Sequence, residues 1–324
     1  MKTMKKTVLI FAAALITSAA QATILRVSNV VNSGAPYTTI GDAIYAAEEG
    51  DTVMVDGSAT KYSSSATIEV SKKIVLMGPG YWRSENGIIQ EGVHDATIGN
   101  IRVSVDDGAT ITGLVIDGNV SIQASHVTIT RCKITGDIGH GMPSNGVSNT
   151  VIHQCYLQGM IEGYANNNYN TGLQITNNIL TRRTASSGGN VTGVIRYITD
   201  SYIAFNTFVG STYSIDDYHI MNVSGCTIEK NFIPRVGSIS GCSYIDNIET
   251  TVISNPATDL AVKTATEQEA NVTPAYGITG AFAGDDPYVI SGLPSGPVVE
   301  DITVPASVAM GSKLNVTIKL GVTK

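Results

Sequence analysis

The chain has 324 residues, with 20 Lys and Arg against 27 Asp and Glu, so its formal net charge is −7 at neutral pH. A surface of this sign repels phosphate backbones, which argues against nucleic acid as a partner, and it disfavours anionic glycans unless basic residues gather locally. Only 15% of the residues are charged, while glycine, serine, threonine and asparagine abound, which favours stacked β structure with many turns over helices.

The first 22 residues have the pattern of a secretory signal peptide. Lysines lie within the first six positions, an apolar run spans residues 8–16, and Ala20-Gln21-Ala22 forms a small-residue cleavage site. The run is too short for a stable membrane anchor, and no other stretch is long and apolar enough to cross a bilayer as a helix. We therefore expect export, a mature chain that begins near Thr23, and a final location in the periplasm, at the cell surface or outside the cell.

A short amphipathic helix is predicted in the stretch PYTTIGDAIYAAEEGDTVMVDG (36–57). Apolar residues recur there at helical spacing, at positions 40, 43, 44 and 47. Thr39 stands where an N-cap belongs, Asp42 where its acidic partner belongs, and Gly50 is placed to end the helix. We expect this helix to cover one apolar end of the domain that follows, because an open end would expose strand edges.

Six copies of one ten-residue phrase follow between residues 123 and 247. They read QASHVTITRC, GVSNTVIHQC, YNTGLQITNN, YITDSYIAFN, NVSGCTIEKN and SISGCSYIDN, and they begin 23, 23, 28, 25 and 16 residues apart. The third letter is always Ser or Thr, the seventh is Ile in every copy but the last, and the tenth is Cys or Asn. Weaker copies precede them at EVSKKIVLMG (69–78) and VDDGATITGL (105–114).

The repeat predicts a β-solenoid. Its period and its alternation of apolar residues by two indicate short strands that stack from one repeat to the next, and they exclude helical repeats. Each coil would add roughly 4.8 Å, the spacing of hydrogen-bonded strands, so matching letters of the phrase become vertical neighbours. One internal column is therefore expected from Ile129, Ile152, Ile175, Ile203 and Ile228.

The tenth letter predicts a second column, a polar ladder inside the solenoid. Stacked asparagines can pass hydrogen bonds from coil to coil and so satisfy polar groups that would otherwise be buried without partners. Cysteine is small and weakly polar and fits the same inward position. The ladder residues are Cys132, Cys155, Asn178, Asn206, Asn231 and Asn247.

With its ladder, this pattern resembles the right-handed parallel β-helix of the pectate-lyase-like superfamily, over about residues 36–250. The opening stretch and LMGPGYW (76–82) resemble secreted Bacteroidetes-type β-helix proteins. The resemblance implies an all-β fold: a right-handed single-stranded parallel β-helix with a short N-terminal capping helix and a C-terminal β tail. It names no activity, because these scaffolds host unrelated functions.

The predicted organisation is a signal peptide (1–22), the β-helix with its cap (23–250) and a C-terminal segment (251–324). In that last segment GDDPYVISGLPSGP (284–297) is rich in turn formers, and KLNVTIKLGV (313–322) alternates like a strand. The segment either folds back along the β-helix, forms a small β appendage, or provides the opening strands of an immunoglobulin-like module.

Candidate functional residues lie in the segments between the strands of successive coils. In enzymes of the resembled superfamily, substrate lies along the first sheet and the loops before it, and loops on a rigid scaffold are where function concentrates. The loops of this chain are expected to bring together candidate catalytic residues Arg196, His219 and Asp217 and candidate substrate-binding residues Arg182, Arg183, Tyr197, Asp216 and Tyr218.

Two enzymatic readings are open. A polysaccharide lyase needs a cation, a base and an acid, and Arg196, His219 and Tyr197 are of the right types, but paired lyase motifs and acidic calcium ligands are missing. A glycoside hydrolase is suggested by Gly139-His140-Gly141 and by the adjacent aspartates 216 and 217, but polygalacturonases carry these in the opposite order. Pectin methylesterase signatures and a nucleophile elbow are absent from the sequence.

The four cysteines are expected to be structural. Cys132 and Cys155 fall in the ladder column, and Cys226 and Cys242 share the fifth letter of adjacent phrases. Stacked neighbours are close enough for a disulfide, and export permits oxidation, but their parallel side chains suit the required dihedral poorly. Without CxxC or histidine clusters, a zinc site is not predicted. No cofactor is expected, and no motif supports calcium.

The sequence therefore predicts a secreted or surface β-helix that engages extracellular polysaccharide by binding. A lyase or hydrolase acting on uronate-containing glycans is the first alternative, and a structural, adhesin-like surface protein is the second. Neither the glycan nor the oligomeric state follows from the residues.

Overall fold

The computed structural model describes residues 22–62, 66–87, 94–105, 107–140, 147–163, 170–181, 194–210, 218–249, 252–253, 258–270, 279–293, 296–305, 307, 313–314 and 316–323.

Short strands dominate the described chain, and all but the last two belong to stacked coils. The elements of the first half are β1 (Ile24–Val27), α1 (Ile40–Ala46), β2 (Thr52–Val55), β3 (Ile68–Val70), β4 (Val75–Met77), β5 (Thr97–Ile98), β6 (Ile101–Val103), β7 (Thr110–Thr112), β8 (Val115–Ile116), β9 (Val120–Ile122), β10 (Thr128–Thr130), β11 (Lys133–Ile134), β12 (Ile138–His140), β13 (Val151–His153), β14 (Tyr156–Leu157) and β15 (Ile161–Glu162). Those of the second half are β16 (Asn170–Thr171), β17 (Gln174–Thr176), β18 (Ile179–Thr181), β19 (Ile195–Arg196), β20 (Ile198–Thr199), β21 (Tyr202–Ala204), β22 (Thr207–Gly210), β23 (Ile220–Met221), β24 (Val223–Ser224), β25 (Thr227–Glu229), β26 (Ile239–Ser240), β27 (Ser243–Ile245), β28 (Val252–Ile253), α2 (Asp259–Ala270), β29 (Gly296–Thr303) and β30 (Thr317–Thr323).

Four parallel sheets run along the solenoid. Sheet 1 has the order β1-β2-β4-β7-β10-β13-β17-β21-β25-β27, and sheet 2 has the order β28-β22-β18-β14-β11-β8-β5. Sheet 3 has the order β23-β19-β15-β12-β9-β6-β3, and the short sheet 4 has the order β16-β20-β24-β26. From β4 to β24, each coil passes from sheet 1 to sheet 2 and then to sheet 3, and the later coils continue to sheet 4. Among the described strands, β2 is followed directly by β3 of sheet 3, and β25 by β26 of sheet 4. The predicted all-β parallel solenoid is confirmed.

The isoleucine column lies inside sheet 1, as predicted. Ile129 pairs with Ile152, Ile152 with Ile175, Ile175 with Ile203, and Ile203 with Ile228, and all five are fully buried. Ile111, the seventh letter of the weak copy at 105–114, pairs with Ile129 and so extends the column upstream. The weak copy predicted at 69–78 is one residue out of register, because its eighth letter, Leu76, pairs with Ile111.

The ladder is a chain of buried side-chain hydrogen bonds. Asn178 Nδ2 donates to Asn206 Oδ1 at 3.0 Å, Asn206 Nδ2 to Asn231 Oδ1 at 2.9 Å, and Asn231 Nδ2 to Asn247 Oδ1 at 2.9 Å. The backbone N–H of Cys155 continues the pattern by donating to Asn178 Oδ1 at 2.8 Å. Each asparagine also donates to a carbonyl of the coil before it, so both ends of its amide are satisfied.

The N-terminal helix begins as predicted and ends earlier. Thr39 is the N-cap: its Oγ1 accepts from the backbone N–H of Asp42 at 3.2 Å and donates to the Asp42 carboxylate at 2.6 Å. The helix buries Ile40, Ala43 and Ile44 against the first strands. It ends at Ala46, followed by extended backbone at Ala47, so the prediction that Gly50 ends it was wrong. Gly50 instead serves the next turn, where its φ is +90°.

Part of the C-terminal segment folds back on sheet 2, and its last part forms a hairpin. Helix α2, which the sequence did not predict, and residues 279–293 cover an outward apolar column of sheet 2. This second core comprises Tyr81, Val115, Tyr156, Ile179, Val209, Val262, Ala281 and Tyr288. Strands β29 and β30 pair with each other in antiparallel fashion, in agreement with the strand expected around residues 313–322. The predicted signal peptide lies outside the described residues, apart from Ala22.

Among the described residues, no helix combines the length and the apolar character needed to cross a bilayer.

Candidate functional site

Half of the predicted site residues fall in described parts of the chain. Arg196, Tyr197, Tyr218 and His219 are described. The other predicted residues, Arg182, Arg183, Asp216 and Asp217, lie outside the described residues, so their approach to the first group stays a prediction.

Arg196 stands on the outward face of sheet 3. Side chains alternate in and out along a strand, and Ile195 points into the core, so Arg196 points away from it. Strand pairing places it in one outward column with residues of six other coils. We call this column the sheet 3 face: Glu69, Arg102, Ser121, Gly139, Glu162, Arg196 and Met221.

Two ion pairs flank a gap on the sheet 3 face. Arg196 Nη2 lies 2.6 Å from Glu162 Oε2, and Arg102 Nη1 lies 3.5 Å from Glu69 Oε2. Among the described residues of this column, only Ser121 and Gly139 stand between the two pairs. A serine and a glycine project little, and no described atom lies within 4 Å of where a Cβ on Gly139 would stand. Among the described residues, the strip between the pairs is therefore a shallow recess with charged groups of both signs at each end.

Tyr197 extends this surface toward sheet 4. Its ring lies beneath the Arg196 guanidinium, 5.4 Å from the guanidinium carbon, and its backbone has a φ of +58°, which turns the chain sharply after β19. Tyr197 also lines an open groove of about 410 Å³ along the sheet 4 strands. The other described residues that line that groove are Asn222, Val223, Ser224, Ser238, Ile239 and Ser240.

His219 does not lie on this surface. The residue is only 7% exposed, and its ring packs edge-on against Phe208, with the two ring centroids 5.7 Å apart. Its backbone carbonyl accepts from the N–H groups of Val194 and Ile195. A general base must reach the substrate, and a buried ring cannot do so without movement of the chain. Tyr218 packs instead beneath the guanidinium of Arg235, at 4.7 Å.

Sheet 1 carries a polar cluster that the sequence did not predict. His153 points outward from β13, and its Nε2 lies 3.0 Å from Asp286 Oδ2. Thr176 Oγ1 lies 2.8 Å from the other ring nitrogen. The turn of residues 284–287 was recognised as turn-forming, but no local signal could pair it with a histidine 133 positions earlier.

The motif Gly139-His140-Gly141 belongs partly to a strand. Gly139 and His140 are the last residues of β12, where they pair with Ser121 and Ile122 of β9. Gly141 and the two aspartates that would complete a hydrolase site lie outside the described residues. Within the described chain, no three metal-binding side chains are grouped for an ion.

All four cysteines are free thiols in this structure. Burial raises the pKa of Cys132 well above its usual value, that of Cys155 to about 12 and that of Cys226 to about 11. The Cys132 and Cys155 thiols donate to backbone carbonyls of their own and the preceding coil. Because the thiolate is the reactive form, these positions fit packing roles.

Comparison with known proteins returned no matching family model, no matching curated protein and no matching solved structure.

Proposed function

We propose that this protein is exported and binds extracellular polysaccharide along the sheet 3 face. The observation that carries the proposal is the recess between the Glu69–Arg102 and Glu162–Arg196 ion pairs, with Tyr197 at its edge. Export is supported by the signal-peptide pattern of the first 22 residues, and membership of the pectate-lyase-like superfamily by the repeat and its ladder.

A long polar polymer suits the geometry of this face. The column repeats at the strand spacing of roughly 4.8 Å over successive coils, so it presents a strip rather than a closed pocket. Guanidinium and carboxylate groups make charge-assisted hydrogen bonds to hydroxyls, and a tyrosine ring offers an apolar surface for a sugar ring. Binding to such a strip needs no enclosed cavity, because a polymer makes its contacts over many units.

Binding fits the described residues better than catalysis. Arg196 and Glu162 are already paired with each other at 2.6 Å, and the ring of His219 is buried. The described sheet 3 face therefore offers two ion pairs, with the phenol of Tyr197 at its edge, and none of the residues that define the face is a histidine. We infer that the face holds a glycan without a chemical step.

The test measures retention on insoluble polysaccharides and binding to a glycan array. We expect Arg196→Ala and Tyr197→Ala each to weaken binding about tenfold or more, since each removes a contact at the same end of the recess. Arg26→Ala is the matched control, because Arg26 also forms an ion pair, with Asp56 at 2.7 Å, but on sheet 1.

The same proteins are incubated with polyuronates while the absorbance of unsaturated uronate products is followed. Product formation that falls in Arg196→Ala would contradict pure binding and favour a lyase. If Arg26→Ala weakened glycan binding as much as Arg196→Ala and Tyr197→Ala do, the loss would reflect a general loss of structure. If the protein neither binds a glycan nor forms unsaturated uronate products, a structural surface protein is favoured.

A further inference from the structure

A second groove crosses sheet 1, on a different side of the coils from the sheet 3 face. Two adjoining recesses of about 420 and 530 Å³ share His153 and Asp286, and both run beneath the turn of residues 284–287. We call them together the sheet 1 groove.

The wall of the sheet 1 groove is held in place by several hydrogen bonds. Gln154 Nε2 donates to Asp286 Oδ1 at 2.8 Å and to the Pro287 carbonyl at 2.7 Å, and His153 contacts the other oxygen of the same carboxylate. Asn177 Nδ2 donates to the Ala283 carbonyl at 2.8 Å. These contacts fix the turn on the solenoid, so the groove is preformed and a ligand would lose little binding free energy in ordering it.

The groove carries hydroxyls along sheet 1, and its lining also includes Arg131, whose guanidinium donates to Gln154 Oε1 and to the Leu293 carbonyl. Thr112, Thr130 and Thr176 are outward residues of sheet 1 strands, and each hydroxyl can donate and accept hydrogen bonds. At one end, the half-buried rings of Tyr202 and Phe205 provide apolar surface. Hydroxyls beside aromatic rings match the alternation of polar edges and apolar faces in a sugar ring.

One cation and one carboxylate in the groove have no ion-pair partner among the described residues. The Lys230 ammonium lies 5.4 Å from the centroid of the Phe205 ring, and Asp285 is exposed on the wall. Groups of opposite sign favour a ligand without net charge whose hydroxyls can donate to the carboxylate and accept from the ammonium. The acidic balance of the whole chain also disfavours an anionic ligand.

From these observations we propose that the sheet 1 groove binds a neutral oligosaccharide. A sugar packs against Tyr202 and Phe205, its hydroxyls bridge Lys230 and Asp285, and further sugars follow the threonines toward β7. This site is separate from the sheet 3 face, and the proposal holds whether or not that face binds polysaccharide.

The test is calorimetric titration of the full chain with cellohexaose, xylohexaose and mannohexaose, and with hexagalacturonate as the charged comparison. We expect at least one neutral hexasaccharide to bind and hexagalacturonate to bind more weakly. Lys230→Met and Asp285→Asn should each weaken the neutral ligand about tenfold or more. Both changes are nearly isosteric and remove no ion pair of the described structure, so the melting temperature should stay within a few degrees.

Arg196→Ala separates the two sites. If the hexasaccharide binds in the sheet 1 groove, this variant should leave the affinity unchanged. If the hexasaccharide binds on the sheet 3 face, the variant should lower the affinity. The proposal is overturned if no neutral hexasaccharide binds at millimolar concentration, or if binding survives both Lys230→Met and Asp285→Asn. Failure of polysaccharide retention in Arg196→Ala alone would bear only on the sheet 3 face.

Discussion

At the scale of single residues, each ladder asparagine satisfies groups in two neighbouring coils. The Oδ1 of Asn206 accepts from the backbone N–H and from the side-chain amide of Asn178. Its Nδ2 donates to the Ile175 carbonyl and to Asn231 Oδ1. All these atoms are buried, so removal of one amide leaves donors and acceptors without partners in a place that water does not reach.

We therefore expect Asn206→Ala to lower the free energy of unfolding by roughly 3 kcal/mol or more, since an unsatisfied buried polar group costs about 1–3 kcal/mol. Asn247→Ala is the matched control. Asn247 lies at the end of the ladder and is half-buried, so its former partners regain water and the loss should be smaller. Denaturant titration of both variants measures the difference. Equal losses would mean that the ladder contributes through packing alone.

The sequence predicted this ladder and the isoleucine column because both depend only on letters that repeat at one position. It also contained a signal that was not used: the fourth letter reads His126, Asn149, Gly172, Asp200, Gly225 and Gly241, and all six have positive φ. Such residues tolerate left-handed backbone best. The ninth letter also has positive φ throughout, yet it includes Arg131, Phe205 and Lys230, so its conformation is imposed by the coil and could not be predicted.

At the scale of elements, Asp51 joins the capping helix to the first two strands. Its carboxylate accepts from the backbone N–H of Thr23 at 2.7 Å and from that of Glu48 at 2.8 Å. The bond from Glu48 is the main reason that the pKa of Asp51 lies below its ordinary value, followed by the bond from Thr23, while the nearby Lys72 adds a smaller effect.

A lowered pKa means that the folded chain favours the ionised carboxylate. Asp51 therefore contributes stability above the pKa of the unfolded chain, and this contribution is lost as the pH falls through the lowered folded value. We expect Asp51→Asn to be less stable than the parent at neutral pH and to approach it as the pH falls toward and below 3.8. Thermal unfolding across this pH range measures the difference.

Asp259 provides the contrasting case. It is fully buried, and burial raises its pKa even though it accepts hydrogen bonds from Ser291, Asn86 and Tyr288. A raised carboxyl pKa costs stability as the pH rises from the unfolded value toward the folded one. The stability difference between parent and Asp259→Asn should therefore change in the opposite direction to that of Asp51→Asn. If the two stability differences changed in the same direction with pH, a lowered pKa for Asp51 and a raised pKa for Asp259 could not both be right.

At the scale of the whole molecule, the C-terminal segment covers a face of the solenoid that would otherwise expose apolar side chains. Tyr156 and Ile179 point outward from sheet 2, while their neighbours Leu157 and Leu180 point into the main core. Adjacent apolar pairs of this kind indicate a strand buried on both faces, so the need for a cover was readable in the sequence. The sequence did not show which segment forms the cover, because α2 and residues 279–293 lie far along the chain from the sheet 2 strands that they contact.

Two truncations separate the roles of the two parts of this segment. Strands β29 and β30 pair only with each other among the described strands. Ile318 of β30 is exposed, and so are Val304, Leu314 and Val316, which lie next to the two strands. A chain that ends at Leu293 should therefore melt within a few degrees of the full chain. A chain that ends at Ile253 also loses the cover and exposes Tyr81, Tyr156 and Ile179.

Burial of a large apolar side chain contributes about 1.5–3 kcal/mol, and for a protein of this size about 1 kcal/mol corresponds to roughly 2–4 °C. The shorter chain should therefore melt roughly 10 °C or more below the full chain and should bind a hydrophobic dye that the longer chain does not. Differential scanning calorimetry with dye fluorescence makes the comparison. If loss of residues 294–324 alone lowered the melting temperature as far, the hairpin would belong to the cover and would have to pack on the solenoid.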